Sequence, residues 1–275
     1  MAMNKEKILK SSSLPLSVAV ITLNEADNLP RLFDSLKSLN PAEIVVVDAG
    51  STDDTVKIAK AHAARVIETD WPGHVMQKNR ALHACEQSWV LFLDADEPIS
   101  VELAESLKAL FASGYLDKDG YEISRRTWYM GDWLRHTWYP EWRLRLIRKG
   151  TAQWEGLDPH DRLEVAGSVG RLAGDILHYS YRDIEDHFHR SITYARIGAK
   201  SLAARGKPFR GHKIVLAPLV RFFRILIIQQ GWRDGWRGWI IAWSSMFTGF
   251  LKYAFLYEIR RQQRKEPRRP NKIDY

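Results

Sequence analysis

The chain reads as an α/β protein: a mainly parallel sheet with helices on both faces, followed by a helical C-terminal annex. Three observations predict this. Apolar runs of strand length alternate with helix-spaced segments four times within roughly the first 115 residues, the pattern of parallel strands joined by crossover helices. The runs are continuous rather than alternating, as in strands buried on both faces. Beyond residue 120 the alternation stops, and from Asp183 to Arg264 the spacing is mostly helical.

In order, "LSVAVITL" (16–23) is the first strand. Leu29, Leu32, Phe33, Leu36 and Leu39 then follow helical spacing, with Asn24 the expected cap. "EIVVVDAGSTDDT" (43–55) is a second strand, a small-residue turn and a helix start, and Val56, Ile58, Ala59 and Ala63 supply that helix's apolar face. "ARVIET" (64–69) is a short third strand, and "HVMQKNRALHACEQ" (74–87) a helix with Val75, Leu82 and Cys85 inward. "SWVLFLD" (88–94) is the fourth strand and "SVELAESLKALFAS" (100–113) the next helix. Thr22, Asp48 and Asp94 close three of these strands. They therefore line the carboxyl edge, where open sheets of this kind bind ligands. Further on, "RLRLIRK" (143–149) alternates as a strand, and the helical region breaks near Gly206, Pro218 and Gly231. The expected organisation is a domain over 1–182, with a donor-binding half (14–119) and an acceptor half (120–182). A helical annex (183–265) and a basic tail (266–275) follow.

Composition narrows the class. The chain has 275 residues, 45% hydrophobic and 27% charged, which fits a folded protein rather than a disordered one. The single cysteine, Cys85, excludes an intramolecular disulfide and a multi-cysteine zinc site and predicts a reducing compartment. The amino terminus lacks the pattern of a signal peptide, and no apolar run reaches the length of a spanning helix. Residues 1–120 carry 12 Lys+Arg against 18 Asp+Glu, whereas residues 121–275 carry 29 against 15. Two halves of opposite sign predict two jobs.

"VLFLDADEPIS" (90–100) places Asp94, Asp96 and Glu97 within four positions. Unpartnered, such acids raise one another's pKa. A divalent cation relieves the repulsion, and hard oxygen ligands suit Mg²⁺ or Mn²⁺ that keeps positions open for phosphate oxygens. A solvated loop leading into a helix capped near Pro98 and Ser100 fits the same residues. Asp48, before "AGSTDDT", suits a hydrogen bond to a base or ribose, or a turn in which Ser51 and Asp53 cap the next helix. Neither a Gly-x-Gly-x-x-Gly nor a Gly-Lys-Ser/Thr motif is present, which disfavours dinucleotide and P-loop folds.

"VITLNEADNLPRLFDSL", "IVVVDAGSTDDT", "QKNRALHAC" and "WVLFLDADE", in this order, resemble the family 2 glycosyltransferases, whose GT-A fold is Rossmann-like. "RRTWYMGDWLRH" through "EWRLRLIRKG", and "DGWRGWIIAWSSMFTGFLKYAFLYE", resemble a bacterial branch that includes lipopolysaccharide core glucosyltransferases of the WaaE/KdtX type. The resemblance spans roughly residues 16–260. It implies that Thr22, Asn24 and Glu25 line the nucleotide pocket, and that Asp48 contacts uracil or ribose. It brings Lys78 to the nucleotide, Asp94 to ribose and metal, and makes Asp96 a metal ligand. The implied reaction is inverting displacement at the anomeric carbon of a UDP-sugar. A hexose, glucose above all, would pass to a lipid-linked acceptor such as the lipopolysaccharide inner core. A capsular or other lipid-linked glycan is the alternative acceptor. A noncatalytic polyanion-binding module on a nucleotide-binding fold is the alternative of another class.

An acceptor hydroxyl must lose its proton to a nearby carboxylate. Glu141, Glu155, Asp158 and Asp161 are the candidates. The branch pattern of tryptophan followed by His-Glu falls here on Trp154, His160 and Asp161, with Asp in place of Glu. Asp161 is the preferred base, ahead of Asp158 and Glu155, and the shorter side chain is a departure from the pattern. Arg125, Arg126, Arg135, Arg143 and Arg145 lie among Trp128, Trp133, Trp138 and Trp142. Aromatic faces stack on sugars and guanidinium groups grip phosphates, so Arg125, Arg126, Trp142, Arg143 and His160 are candidate acceptor contacts. A strand-rich subdomain with tryptophans inside and arginines in water fits equally.

The annex is apolar, aromatic and basic. From Gly206 onward there are 15 Lys+Arg against four Asp+Glu, and the longest uncharged run, Gly238–Leu251, has 14 residues. That length suits a helix lying in a membrane interface rather than crossing it, or a helical pair packed on the catalytic domain. The expectation is peripheral attachment at the cytoplasmic face of the inner membrane. No nucleic-acid recognition motif accompanies the basic residues.

Overall fold

The structure is a computed structural model and describes residues 13–157 and 160–265. Four strands occupy the predicted apolar runs: β1 (Leu14–Thr22), β2 (Pro41–Asp48), β3 (Arg65–Glu68) and β4 (Trp89–Asp94). They alternate with α1 (Leu29–Leu36), α2 (Thr55–Ala61) and α3 (His74–Ala84), and α4 (Val101–Ala112) follows β4. β1 pairs in parallel with β2 and with β4, and β2 with β3. Leu16, Val18 and Val20 pack on α1 and α4 on one face, while Ala19, Val45, Val47 and Phe92 pack on Ala81 and Leu82 of α3 on the other. Fully burying such a side chain contributes roughly 1.5–3 kcal/mol, so the two-sided burial explains why these runs are uninterrupted.

Asn24 does not cap the first helix. Its backbone takes φ 56° and its side-chain oxygen accepts from Thr52 N at 2.8 Å, tying two turns together. α1 begins five residues later, at Leu29, with a proline in its first turn, where the missing N–H has no helical partner to lose. Ser100 does cap α4, accepting from Leu103 N at 3.1 Å.

The second half of the sheet changes direction. β5 (Gly120–Tyr129), β7 (Glu141–Arg148) and β10 (Val169–His178) complete the order β10-β5-β7-β4-β1-β2-β3, and β6 (Asp132–Trp133) pairs with β5. β7 is antiparallel to both β4 and β5, and β10 is parallel to β5. β8 (Ala152–Leu157) and β9 (His160–Val165) form a separate two-stranded ribbon.

The described residues form two compact units. The first ends at Thr127 and resumes over Pro140–Tyr179; the second takes Trp128–Tyr139 and begins again at Ser180. The expected boundary at 182 thus misses a twelve-residue excursion. Asp234 explains it, accepting from the backbone N–H of Arg135, His136 and Thr137 at 3.0, 3.2 and 2.7 Å. The second unit contains α5 (Ile184–Ala204), α6 (Lys213–Phe223), a π-helical turn (Arg224–Ile228), a 3-10 turn (Gly231–Asp234) and α7 (Trp236–Lys265). Its core joins Tyr129 and Leu134 to Ile225, Leu226, Ile241 and Ala242. Among the described residues no helix is long and apolar enough to cross a membrane. The basic tail, 266–275, lies outside the described residues.

Candidate active site

Sheet register assembles the site. Thr22 of β1 pairs with Asp48 of β2, and Ile21 with Asp94 of β4, so both carboxylates flank the end of β1. Asp48 is fully buried. It accepts from Thr22 Oγ1 at 2.7 Å, Ser51 Oγ at 2.6 Å, Ser51 N at 2.8 Å and Gly50 N at 3.0 Å. Burial alone would raise its pKa; these four donors outweigh it and the net shift is downward. Asn24 and Glu25 are drawn to the same turn, their N–H groups donating to Ser51 Oγ at 2.8 Å and Thr55 Oγ1 at 2.7 Å. Burial pushes the Glu25 carboxyl up, and the fields of Asp96, Asp94 and Asp53 add to it against a hydrogen bond from Asn28.

The three clustered acids have separate duties. Glu97 is fully buried and accepts from Arg145 at 2.8 Å, Arg125 at 3.0 Å and the backbone N–H of Asp94 at 3.0 Å. Asp94 lies 3.1 Å from Arg145 and 3.7 Å from Lys78 Nζ. Burial would raise its pKa, but Lys78, Arg145 and His178 overcome this and hold the carboxyl far below the usual range. Asp96 lies 3.5 Å from His178 Nε2. The mutual repulsion is therefore relieved within the chain, which corrects the argument that the gathered charge by itself demands a cation.

Asp96 is 23% exposed and Asp94 33%. Among the described residues no group of three or more His, Cys, Asp or Glu is arranged to hold a metal alone. Magnesium needs only one or two carboxylates when phosphate oxygens and water complete its shell. The carboxylates of Asp96 and Asp94 fit that partial set.

The β8–β9 ribbon brings the base candidates. Trp154 pairs with Leu163 and Gly156 with Asp161, while Glu155 pairs with Arg162. Side chains alternate across a ribbon, so Asp161 shares the inward face with buried Trp154 and Leu163, and Glu155 takes the opposite face. Lys78 Nζ donates to Asp161 Oδ2 at 2.7 Å and lies 4.3 Å from the Trp154 ring centre. Asn79 holds the ribbon: its Nδ2 donates to Trp154 O and its Oδ1 accepts from Trp154 N, both at 2.9 Å. Gln77 of the same motif is fully buried and donates to Thr69 at 3.0 Å. Asp158 and the His160 side chain lie outside the described residues.

The acceptor candidates scatter. Arg125 bridges Glu97 and Glu141, the latter at 2.8 Å. Arg143 also binds Glu141, and burial of that carboxyl is outweighed by both arginines, so its net shift is downward. Arg126 lies 3.3 Å from Asp175, and Arg171 stacks 4.4 Å over Trp142. His178 and Asn79 are site residues that sequence reasoning did not select, and it noted Glu97 and Arg145 without giving either a role. Arg145 shares strand phase with buried Ile147, a signal that it points inward. His178 closes β10 much as Asp94 closes β4.

The first unit thus gathers carboxylates at the carboxyl edge of its parallel strands and one more on the β8–β9 ribbon, bridged by Lys78. Residues 17–166 match the family model for glycosyl transferase family 2, and the chain belongs to that family. It shares 32% identity with an uncharacterised glycosyltransferase of Rickettsia typhi, across 94% of this chain and 92% of the other. It is 31% identical to the lipopolysaccharide core biosynthesis glycosyltransferase LpsC of Rhizobium meliloti, covering 89% of this chain and 93% of that one. Staphylococcus aureus TarS, residues 1–349, is a more distant solved structure: 16% identity over 90% of this chain and 91% of that one, with a TM-score of 0.48.

Proposed function

We propose that this glycosyltransferase moves a hexose, glucose in the first instance, from a UDP-sugar to a lipid-linked acceptor. The lipopolysaccharide inner core is the favoured acceptor, and the place of reaction is the cytoplasmic face of the inner membrane. The observation that carries the reading is the Lys78 bridge: one ammonium reaches Asp161 of the ribbon and Asp94 of the strand edge. The relationship to LpsC supports the acceptor class.

The acceptor hydroxyl oxygen bonds to the anomeric carbon while the bond from that carbon to the diphosphate oxygen breaks. Its proton passes to Asp161, the electron pair leaves with UDP, and attack from the opposite side inverts the anomeric centre. Asp48, fixed by Thr22, Ser51 and Gly50, receives the uracil or ribose, and Lys78 offsets charge on the leaving group. Mg²⁺ or Mn²⁺, held by Asp96 and Asp94 with His178 beside them, would neutralise the pyrophosphate.

The test titrates the parent protein and Asp161→Asn with UDP-sugars, with and without Mn²⁺, by calorimetry. Transfer to truncated lipopolysaccharides is read by mass spectrometry. Both proteins should bind donor more tightly with Mn²⁺, and the variant should lose about 10²–10⁴-fold in turnover. Metal-independent, sugar-blind binding would refute the assignment; unchanged turnover in the variant would remove Asp161 from the base role.

A further inference from the structure

α7 buries Ile241 and Leu256 among small residues such as Gly238, Ala242, Ser244 and Gly249, yet leaves Trp236, Trp239, Trp243, Phe247, Phe250 and Tyr257 exposed. At 3.6 residues per turn these six aromatics fall within an arc of roughly 80°, so they form one stripe. α6 packs against α7 and adds exposed Val215, Leu216, Leu219, Val220 and Phe223. The turn between the helices adds Ile228, 75% exposed, and Trp236 at the start of α7 is 82% exposed. Isolated exposed apolar residues are ordinary; a continuous surface of this extent marks a binding face.

Charge selects the occupant. Between Arg205 and Arg237 there are eight Lys or Arg and one acid, Asp234, and that acid is engaged by three backbone N–H groups. Lys213 and Arg224 are exposed and, at about 100° per residue, follow Val220 at the edge of the α6 apolar arc, and exposed Arg233 adjoins exposed Trp232. A second copy of the same face would set cation against cation. An anionic bilayer accepts both features, since tryptophan favours the headgroup depth and basic side chains meet lipid phosphates.

We propose that the exposed aromatic face of α6 and α7 lies in the interface of an anionic bilayer, with Lys213, Arg224 and Arg233 at its edge on the lipid phosphates. The inference rests on the membrane-face reading above and assigns it to a surface and a lipid charge class.

The test floats the full-length protein with vesicles of phosphatidylglycerol and phosphatidylethanolamine, and with phosphatidylcholine alone. The parent should partition more than tenfold better onto the anionic vesicles, and brominated lipid should quench its tryptophan fluorescence. The triple variant W236S/W243S/F247S should lose more than tenfold in flotation. The double variant K213E/R224E should lose the preference for anionic lipid while keeping the parent's melting temperature. Parent protein that stays with the lipid-free fraction, or a folded triple variant that floats as the parent does, overturns the proposal. So does a parent dimer in sedimentation that the triple variant abolishes. Calorimetric binding of UDP-sugar, measured on the same samples, reads the catalytic assignment separately.

Discussion

Asn79 sets the position of Asp161 without touching it. Its amide both donates to and accepts from the backbone of Trp154, so it occupies the free edge of β8 as another strand would. Asn79→Ala removes both bonds, each worth about 1 kcal/mol, and should lower turnover more than tenfold while UDP-sugar affinity changes less than threefold. Asn79→Asp keeps only the acceptor and should fall between. Single-turnover transfer and calorimetry check the split. The strand-edge placement of Asp48 and Asp94 is legible in the sequence because each ends an apolar run, whereas Lys78 stands out only through the family resemblance. The pairings of Glu97, Arg145 and His178 are not, because their partners lie 48, 28 and more residues away and only register brings them together.

Among the elements, α7 depends on glycine where it meets the preceding turn. A Cβ on Gly238 would stand 1.7 Å from the carbonyl oxygen of Gly231, and backbone cannot turn aside as a long side chain can. Gly238→Ala should therefore destabilise the second unit by roughly 1–3 kcal/mol or more, seen as a lower melting temperature of that unit. Gly206, with open space around its Cβ position but a positive φ of 70°, is a weaker constraint. β1, β2 and β4 are readable because burial on both faces keeps their runs apolar apart from Ser17, and α1 to α4 because their buried residues recur at helical spacing. β5, β7 and β10 are harder, since they bury Arg145, Ser124 and Asp175 and their apolar pattern breaks wherever a charge is paired inside.

At the scale of the molecule, each unit has its own core and its own response to acid. In the second, His187 is 3% exposed, with Tyr129 OH at 2.6 Å and Ser244 Oγ at 3.1 Å, and burial lowers its pKa from 6.5 to about 4. The folded state therefore keeps it neutral where the unfolded chain is protonated. Stability falls as pH drops from about 6.5 towards 4, by on the order of 3 kcal/mol, and is flat below. Comparing unfolding of parent and His187→Gln at pH 7 and 4.5 should show a smaller loss in the variant. The −6 and +14 halves are plain in the sequence, but the excursion 128–139 is not, because Asp234 binds residues 97 to 99 positions away. That tether governs where the chain can be cut. A shortened protein ending at Tyr179 would strand Tyr129 and Leu134 with no core to enter. A workable minimal catalytic fragment must also delete Trp128–Tyr139. Arg125 already faces Glu141 across antiparallel strands, so a tight hairpin can splice Thr127 to Pro140.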